Sequence, residues 1–317
     1  MRSLWTRDGE HSLHVADFGG QGPAVVLVHG LGGSWADWSE LGPKLTHLGH
    51  IFAPDLPGFG LTPLEGRGAS LTEQAGVISR LLDGCAADGP ALLVGNSAGA
   101  LAALLAARVS PERLRGLVLI DAALPRRSWF DVNPMLAAAF TALLIPRLAT
   151  RYLAGRSARL GAAGMVRDSL VITCAHPERV PARAVAALTE VATHREKLVD
   201  PATAYVLTAR SVIGLLTRRA RVHRLLDAAP SNVLLLHGAA DRLIPVVAAQ
   251  DALTQRPDWH LEILEDHGHL PQLEDAPRCA ELITRWLSDV MSARDPAAAL
   301  DPMAGGGKGG IRTPGGP

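Results

Sequence analysis

Blocks of apolar residues recur along this chain at two different spacings. Residues 24–30, AVVLVHG, form an unbroken apolar run closed by glycine, the pattern of a strand buried on both faces of a parallel sheet. HIFAPDLPGFG (50–60) reads as a second strand ending in a Pro/Gly-rich loop. SLTEQAGVISRLLDGCA (70–86) changes period. It opens with the capping-box pattern Ser70-Leu71-Thr72-Glu73 and places Leu71, Ala75, Ile78 and Leu82 at helical spacing. ALLVG (91–95) and LRGLVLID (114–121) are further strands, with a helix from Ala98 to Val109 between them. Strand and helix in alternation imply parallel βαβ units.

The rhythm stops after Leu124. From there to Pro230 no comparable strand occurs, and Ala, Leu and Arg fill helical stretches broken by Pro134, Pro146, Pro177, Pro181 and Pro201. It resumes with NVLLLHG (232–238), a helix near Val246–Leu253, WHLEILE (259–265) and an amphipathic helix over Ala276–Met291. The economical reading is one interrupted α/β sheet, mostly parallel and flanked by helices. Its core is 1–123 with 231–293, and 124–230 is a helical cap. The Gly/Pro/Ala-rich end, 294–317, has no periodicity and is expected to be a disordered tail.

Composition narrows the function classes. With 48% apolar and 20% charged residues over 317 positions, a large packed core is expected. A net charge of zero argues against general nucleic-acid binding. The N-terminal MRSLWTRDGEHSLHVADFGG carries charges and histidines where a signal peptide needs an apolar segment. The longest lipid-like stretch, Met135–Pro146, is too short to span a bilayer. Cys85, Cys174 and Cys279 are odd in number and lack metal or redox spacing. The expectation is a soluble, cytoplasmic protein needing neither cofactor nor metal.

Candidate chemistry centres on GNSAG (95–99), where one hydroxyl stands between two glycines as strand gives way to helix. Ser97 could simply cap the helix. Alternatively the turn presents it as a nucleophile, and a G-x-S-x-G sequence, weak alone, gains weight from a strand before and a helix after. Serine needs a base, usually a histidine oriented by a carboxylate. Asp241 follows the strand NVLLLHG, and His269 follows the next one in EDHGHLPQLED, both on the carboxyl edge where ligands collect in parallel sheets. A turn-forming aspartate and a solvated loop histidine are the plain alternatives, but the order Ser…Asp…His after successive strands favours catalysis. The tetrahedral oxyanion needs two N–H donors. Ala98 at the start of the helix offers one, and Leu31 in HGLGGSW (29–35) the other.

At these residues the chain resembles the cap-bearing serine esterases and related hydrolases of the α/β-hydrolase fold. The matching segments are HGLGGSW, DLPGFG, GNSAG, HGAADRLIP and GHLPQLED, spread over residues 29 to 275. The resemblance implies Ser97 as nucleophile, His269 as base and then acid, Asp241 as orienter, and 124–230 as a lid over the pocket. It implies hydrolysis of carboxylic esters through an acyl-enzyme.

Other readings stay open. Asp121, ending LRGLVLID, could orient the histidine instead, and His267 competes with His269, although Pro271 and Glu274 in GH-x-P-x-x-E select His269. Carbon–carbon bond hydrolases often carry a G-N-S elbow but usually follow the histidine with tryptophan, where this chain has Leu270. Ser97 disfavours dehalogenases and epoxide hydrolases, which use aspartate. A dinucleotide site at AVVLVHGLGGSW with Asp55 lacks the third glycine, its place taken by Trp35. A non-catalytic binding protein of this fold would often have lost one member of the triad. The cap window holds sixteen Arg and Lys against seven Asp and Glu. Those charges either pair with acids on the core or, with the apolar stretch NPMLAAAFTALLIP (133–146), suit a medium or long acyl chain and peripheral contact with an anionic lipid surface.

Overall fold

The computed structural model describes residues 1–125, 145–198 and 201–294. The apolar runs form one sheet of eight strands: β1 (Arg2–Asp8), β2 (His11–Gly19), β3 (Ala24–Val28), β4 (His50–Pro54), β5 (Ala91–Asn96), β6 (Leu114–Ile120), β7 (Val233–Gly238) and β8 (His260–Leu264). Their order is β1-β2-β4-β3-β5-β6-β7-β8. All neighbours from β4 to β8 are parallel, while β1–β2 and β2–β4 are antiparallel. The sheet is therefore mostly parallel, as expected.

Successive side chains of a strand face opposite ways, so a strand covered on both faces must be apolar throughout. Val25, Leu27, Leu92, Val94, Val118, Ile120, Leu234 and Leu236 pack on one face with Trp38, Leu41 and the C-terminal helix residues Ile283 and Trp286. Val26, Val28, Leu93, Leu117, Leu119 and Leu235 pack on the other, against α1 (Leu71–Gly84) and α2 (Ala98–Val109). Burying each such side chain contributes about 1.5–3 kcal/mol, which makes the β3–β5–β6–β7 block the firmest part of the molecule. Ser70 and Glu73 close the capping box at the start of α1 as the sequence implied.

The β1–β2 hairpin has no counterpart in the sequence reading. Strand β1 lies at the sheet edge and is exposed along nearly all its length, so it carries no inside–outside alternation. Strand β2 buries His14 and Asp17, which pair with Asp55 and with Arg2 and His50, so polar residues occupy positions where a core pattern would show apolar ones.

Between β6 and β7 the described residues are helical: α3 (Pro146–Thr173), interrupted at Gly161 where φ is 62°, α4 (Ala182–Arg195), α5 (Pro201–Leu216) and α6 (Arg219–Asp227). Pro134 lies outside the described residues; the other prolines separate the helical stretches as expected and do so by beginning the next element. Pro146 and Pro201 are first residues of helices and Pro181 is an N-cap, positions where the missing N–H costs nothing. Helix α6 sends Val222, Leu225 and Leu226 into the main core rather than over the carboxyl edge. The apolar stretch 133–144 and the tail beyond 294 lie outside the described residues. Two further helices, α7 (Val247–Gln255) and α8 (Ala276–Arg294), flank β8. Among the described residues no helix is long and apolar enough to cross a membrane.

Strand order fixes where chemistry can sit. The chain leaves β3 for β4 on one side and returns to β5 on the other. The loops after β3 and β5 therefore diverge at the carboxyl edge and open a crevice there.

Candidate active site

The turn after β5 is tight because two glycines allow it. A Cβ on Gly99 would run into the carbonyl oxygens of Val28 and His29, and one on Gly95 into the backbone of Gly99 and Ala100. Ser97 between them adopts φ 55° and ψ −118°, a left-handed conformation that only a constrained turn imposes on a residue with a Cβ. Its N–H donates to Ile120 O at 2.9 Å, fastening the turn to β6. Ser97 stands at the N-cap position of α2 yet makes no side-chain capping bond, so capping does not account for the serine. The hydroxyl is half-buried at the carboxyl edge.

Asp241 and His269 come together as the order of motifs suggested. The His269 Nδ1–H donates to Asp241 Oδ2 at 2.6 Å, and both side chains are buried. Asp241 Oδ1 accepts from the Leu243 and Ile244 N–H groups at 2.7 and 3.0 Å. Burial alone would raise the Asp241 carboxyl. The His269 charge and these N–H donors outweigh it and hold the group below its ordinary value. With Nδ1 engaged by Asp241, Nε2 is the His269 ring nitrogen left to exchange a proton with Ser97. Asp121, the rival acid, instead accepts the Gly238 N–H at 2.9 Å. His267 turns away, with Nδ1 on Glu265 O at 2.6 Å.

Histidine and elbow are linked by a residue the sequence reading passed over. Asn96 Nδ2 donates to Ile120 O at 3.2 Å and to His269 O at 3.1 Å, so the residue before Ser97 holds the histidine's own carbonyl. Among the described residues Ser97 Oγ has no hydrogen bond of its own. A nucleophile–base contact commonly tightens only with substrate in place. Glu274 explains the GH-x-P-x-x-E pattern: its Oε1 accepts the Gly268 N–H at 2.8 Å and its Oε2 the His176 N–H at 2.9 Å. The His269 N–H donates to Thr173 O at 2.6 Å. Both contacts tie the histidine loop to the end of α3.

The loop after β3 lies against this turn, where a Cβ on Gly30 would crowd Asn96 and Ser97 at 3.1–3.3 Å. Ala98, the first residue of α2, directly follows Ser97, and Leu31 directly follows Gly30 in the loop after β3. His29 braces this loop through Nδ1–H to Gly30 O at 2.8 Å, while its Nε2 accepts the Leu56 N–H at 3.1 Å. Burial lowers its pKa, in keeping with a neutral ring. Asp55, the acid of the dinucleotide reading, is fully buried and accepts from the Trp35 N–H, the Leu61 N–H and His14 Nδ1 at 2.7–2.8 Å. From the helices between β6 and β7, Arg195 donates to Gly32 O at 3.2 Å and lies over the Phe59 ring, and the Tyr205 ring covers Gly32. Neither was visible as a site residue, because a lone Arg or Tyr in a helical stretch carries no local signature.

The chain belongs to the alpha/beta hydrolase family, whose model matches residues 25–282. It is 30% identical over 269 residues to a pimeloyl-[acyl-carrier protein] methyl ester esterase of Aromatoleum aromaticum, covering 82% of this chain and 96% of that one. It is 28% identical over 293 residues to a 2-hydroxymuconate semialdehyde hydrolase of a Pseudomonas species, covering 86% and 90%. Among solved structures, a haloalkane dehalogenase from Bradyrhizobium elkani superposes with a TM-score of 0.77 at 19% identity, covering 92% of this chain and 99% of the other. A thermophilic esterase from Thermogutta terrifontis does so at 0.67 and 23%, with the same coverage. These superpositions show the fold.

Two outcomes test the site. His269→Ala is expected to lower kcat roughly 10⁴-fold or more, and His267→Ala to leave it within a few-fold, in steady-state kinetics on an activated ester. The reverse pattern would reassign the base. Below the loop after β3, burial pushes the Asp37 carboxyl up to about 7, against the pull of the Ser34 N–H. The native state thus holds this proton more tightly than the unfolded chain, which loses it near pH 4. Its contribution to stability falls as pH rises from about 4 to 7. Asp37→Asn, unable to ionise, should gain stability over the parent between about pH 5 and pH 8 in urea titrations. A difference that does not change with pH contradicts an elevated Asp37.

Proposed function

We propose that this hydrolase-fold protein is a serine hydrolase that cleaves carboxylic esters through an acyl-enzyme. The observation that carries the reading is the buried His269–Asp241 pair, joined through Asn96 to a strained Ser97 at the carboxyl edge. His269 Nε2 takes the Ser97 proton as Oγ attacks the ester carbonyl, and Asp241 stabilises the imidazolium that forms. The Leu31 and Ala98 N–H groups receive the oxyanion, the latter helped by the N-terminal dipole of α2. The protonated imidazole gives its proton to the departing alcohol. Water then repeats the sequence on the acyl-enzyme. No metal or cofactor enters any of these steps.

The relative that hydrolyses a methyl ester supports this reading at 30% identity. A second reading, hydrolysis of a carbon–carbon bond, is favoured by the G-N-S elbow and by the semialdehyde hydrolase relative, and disfavoured by Leu270 after the histidine. Ester substrates of medium or longer acyl chain suit the apolar stretch 133–146. Part of the cap's positive charge pairs with the core, Arg179 with Asp266 and Arg183 with Glu40. Arg147, Arg151 and Arg159 on α3 are exposed and have no carboxylate partner among the described residues, which supports peripheral contact with an anionic lipid surface.

p-Nitrophenyl esters of graded length should show faster turnover for medium chains than for acetate, abolished in Ser97→Ala. Hydrolysis on anionic vesicles should weaken as salt shortens the Debye length to about 10 Å at 0.1 M. Fastest cleavage of acetate, unchanged by salt or vesicles, would leave the basic cap as a solvated surface. Turnover of a vinylogous 1,5-diketone acid with no ester cleavage would replace the first reading by the second.

A further inference from the structure

Behind the catalytic carboxylate lies a second one that the proposed mechanism does not use. Asp121 follows β6 with φ 44° and is completely buried. Donor atoms of Asp121, His237 and Asp241 all lie within 4.8 Å of one another. The spacing would also suit a cation, but the ligand atoms are engaged elsewhere. Asp241 Oδ2 receives His269 at 2.6 Å, and His237 Nε2 donates to Ile244 O at 2.7 Å.

Two carboxylates this close, both out of water, cannot both be ionised without a counter-charge. The titratable groups facing Asp121 are Asp241, His237, Glu274 and the Cys279 thiol. None supplies a positive charge. Burial lowers the His237 pKa, and its Nε2 stands 3.6 Å from Asp121 Oδ1, beyond a hydrogen bond. The donors decide which carboxyl keeps the charge. Asp241 accepts three N–H groups, from Leu243, Ile244 and His269. Asp121 accepts one, from Gly238 on Oδ1, and its buried Oδ2 meets no donor among the described residues. An oxygen with no donor beside a well-solvated carboxylate is where a proton belongs.

We propose that Asp121 is a positioning residue for the catalytic acid: a neutral carboxylic acid at pH 7 whose Oδ2–H donates to Asp241, so that the pair carries a single charge directed at His269. This rests on the assignment of Asp241 and His269 to catalysis. Burial and the neighbouring Asp241 charge both push the Asp121 carboxyl upward, in the same sense as the geometry. The added hydrogen bond fixes the Asp241 carboxylate plane, which already has two N–H groups on the other oxygen.

Asparagine reproduces the arrangement, accepting the Gly238 N–H and donating to Asp241, whereas valine does neither. The infrared difference spectrum of wild type minus Asp121→Asn at pH 7 should contain a protonated-carboxyl C=O band that shifts in deuterated buffer. Esterase kcat should be at least tenfold higher in Asp121→Asn than in Asp121→Val, with KM alike in the two. Absence of the protonated band at pH 7 overturns the proposal, as does an Asn variant no better than Val. If the Val variant does not fold, the band decides alone. That measurement needs no turnover, so a protein without esterase activity that still shows the band loses the functional reading and keeps the protonated pair.

Discussion

Close approach of backbone to backbone at the end of β5 is the constraint on which the site depends. Helix α2 can leave the strand directly only because Gly95 and Gly99 present no Cβ to the peptides they touch, those of Ala100, Val28 and His29. Closing the turn forces Ser97 to φ 55°, a strain held by the Ile120 carbonyl and by the apolar strands on either side. The same closeness brings the loop after β3 against the serine. Ser97 and the loop after β3 thus owe their closeness to one origin, the packing of α2 against β3 and β5.

The second feature is that the helical segment between β6 and β7 is fastened to the loops after β3 and β8. Thr173 O holds the His269 N–H, Glu274 bridges Gly268 and His176, and Arg195 reaches from α4 to Gly32 O. Both the histidine loop and the loop carrying Leu31 are therefore steadied by residues from between β6 and β7.

The central strands were legible because burial on both faces leaves continuous apolar runs, as in AVVLVHG and ALLVG, and their boundaries differ from the observed ones by a residue or two. The β1–β2 hairpin was not, since its strands lie at or near an edge and bury His14 and Asp17 on polar side-chain contacts rather than on apolar ones. Ser97, Asp241 and His269 could be picked out by their places after successive strands. Asn96, Arg195 and Tyr205 could not. Their significance lies in what they touch, His269 O, Gly32 O and the face of Gly32, and those contacts join segments far apart in the chain. The contacts of His269 with Asp241 and of Asp121 with the Gly238 N–H likewise join segments whose approach spacing along the chain does not encode.

The claim that Ser97 is the covalent nucleophile is tested most directly by peptide mass spectrometry after exposure of the folded protein to a fluorophosphonate. The account predicts a single adduct on the peptide containing Ser97, absent from Ser97→Ala and formed far more slowly in His269→Ala. An adduct on another residue, or none on folded wild-type protein, would contradict it.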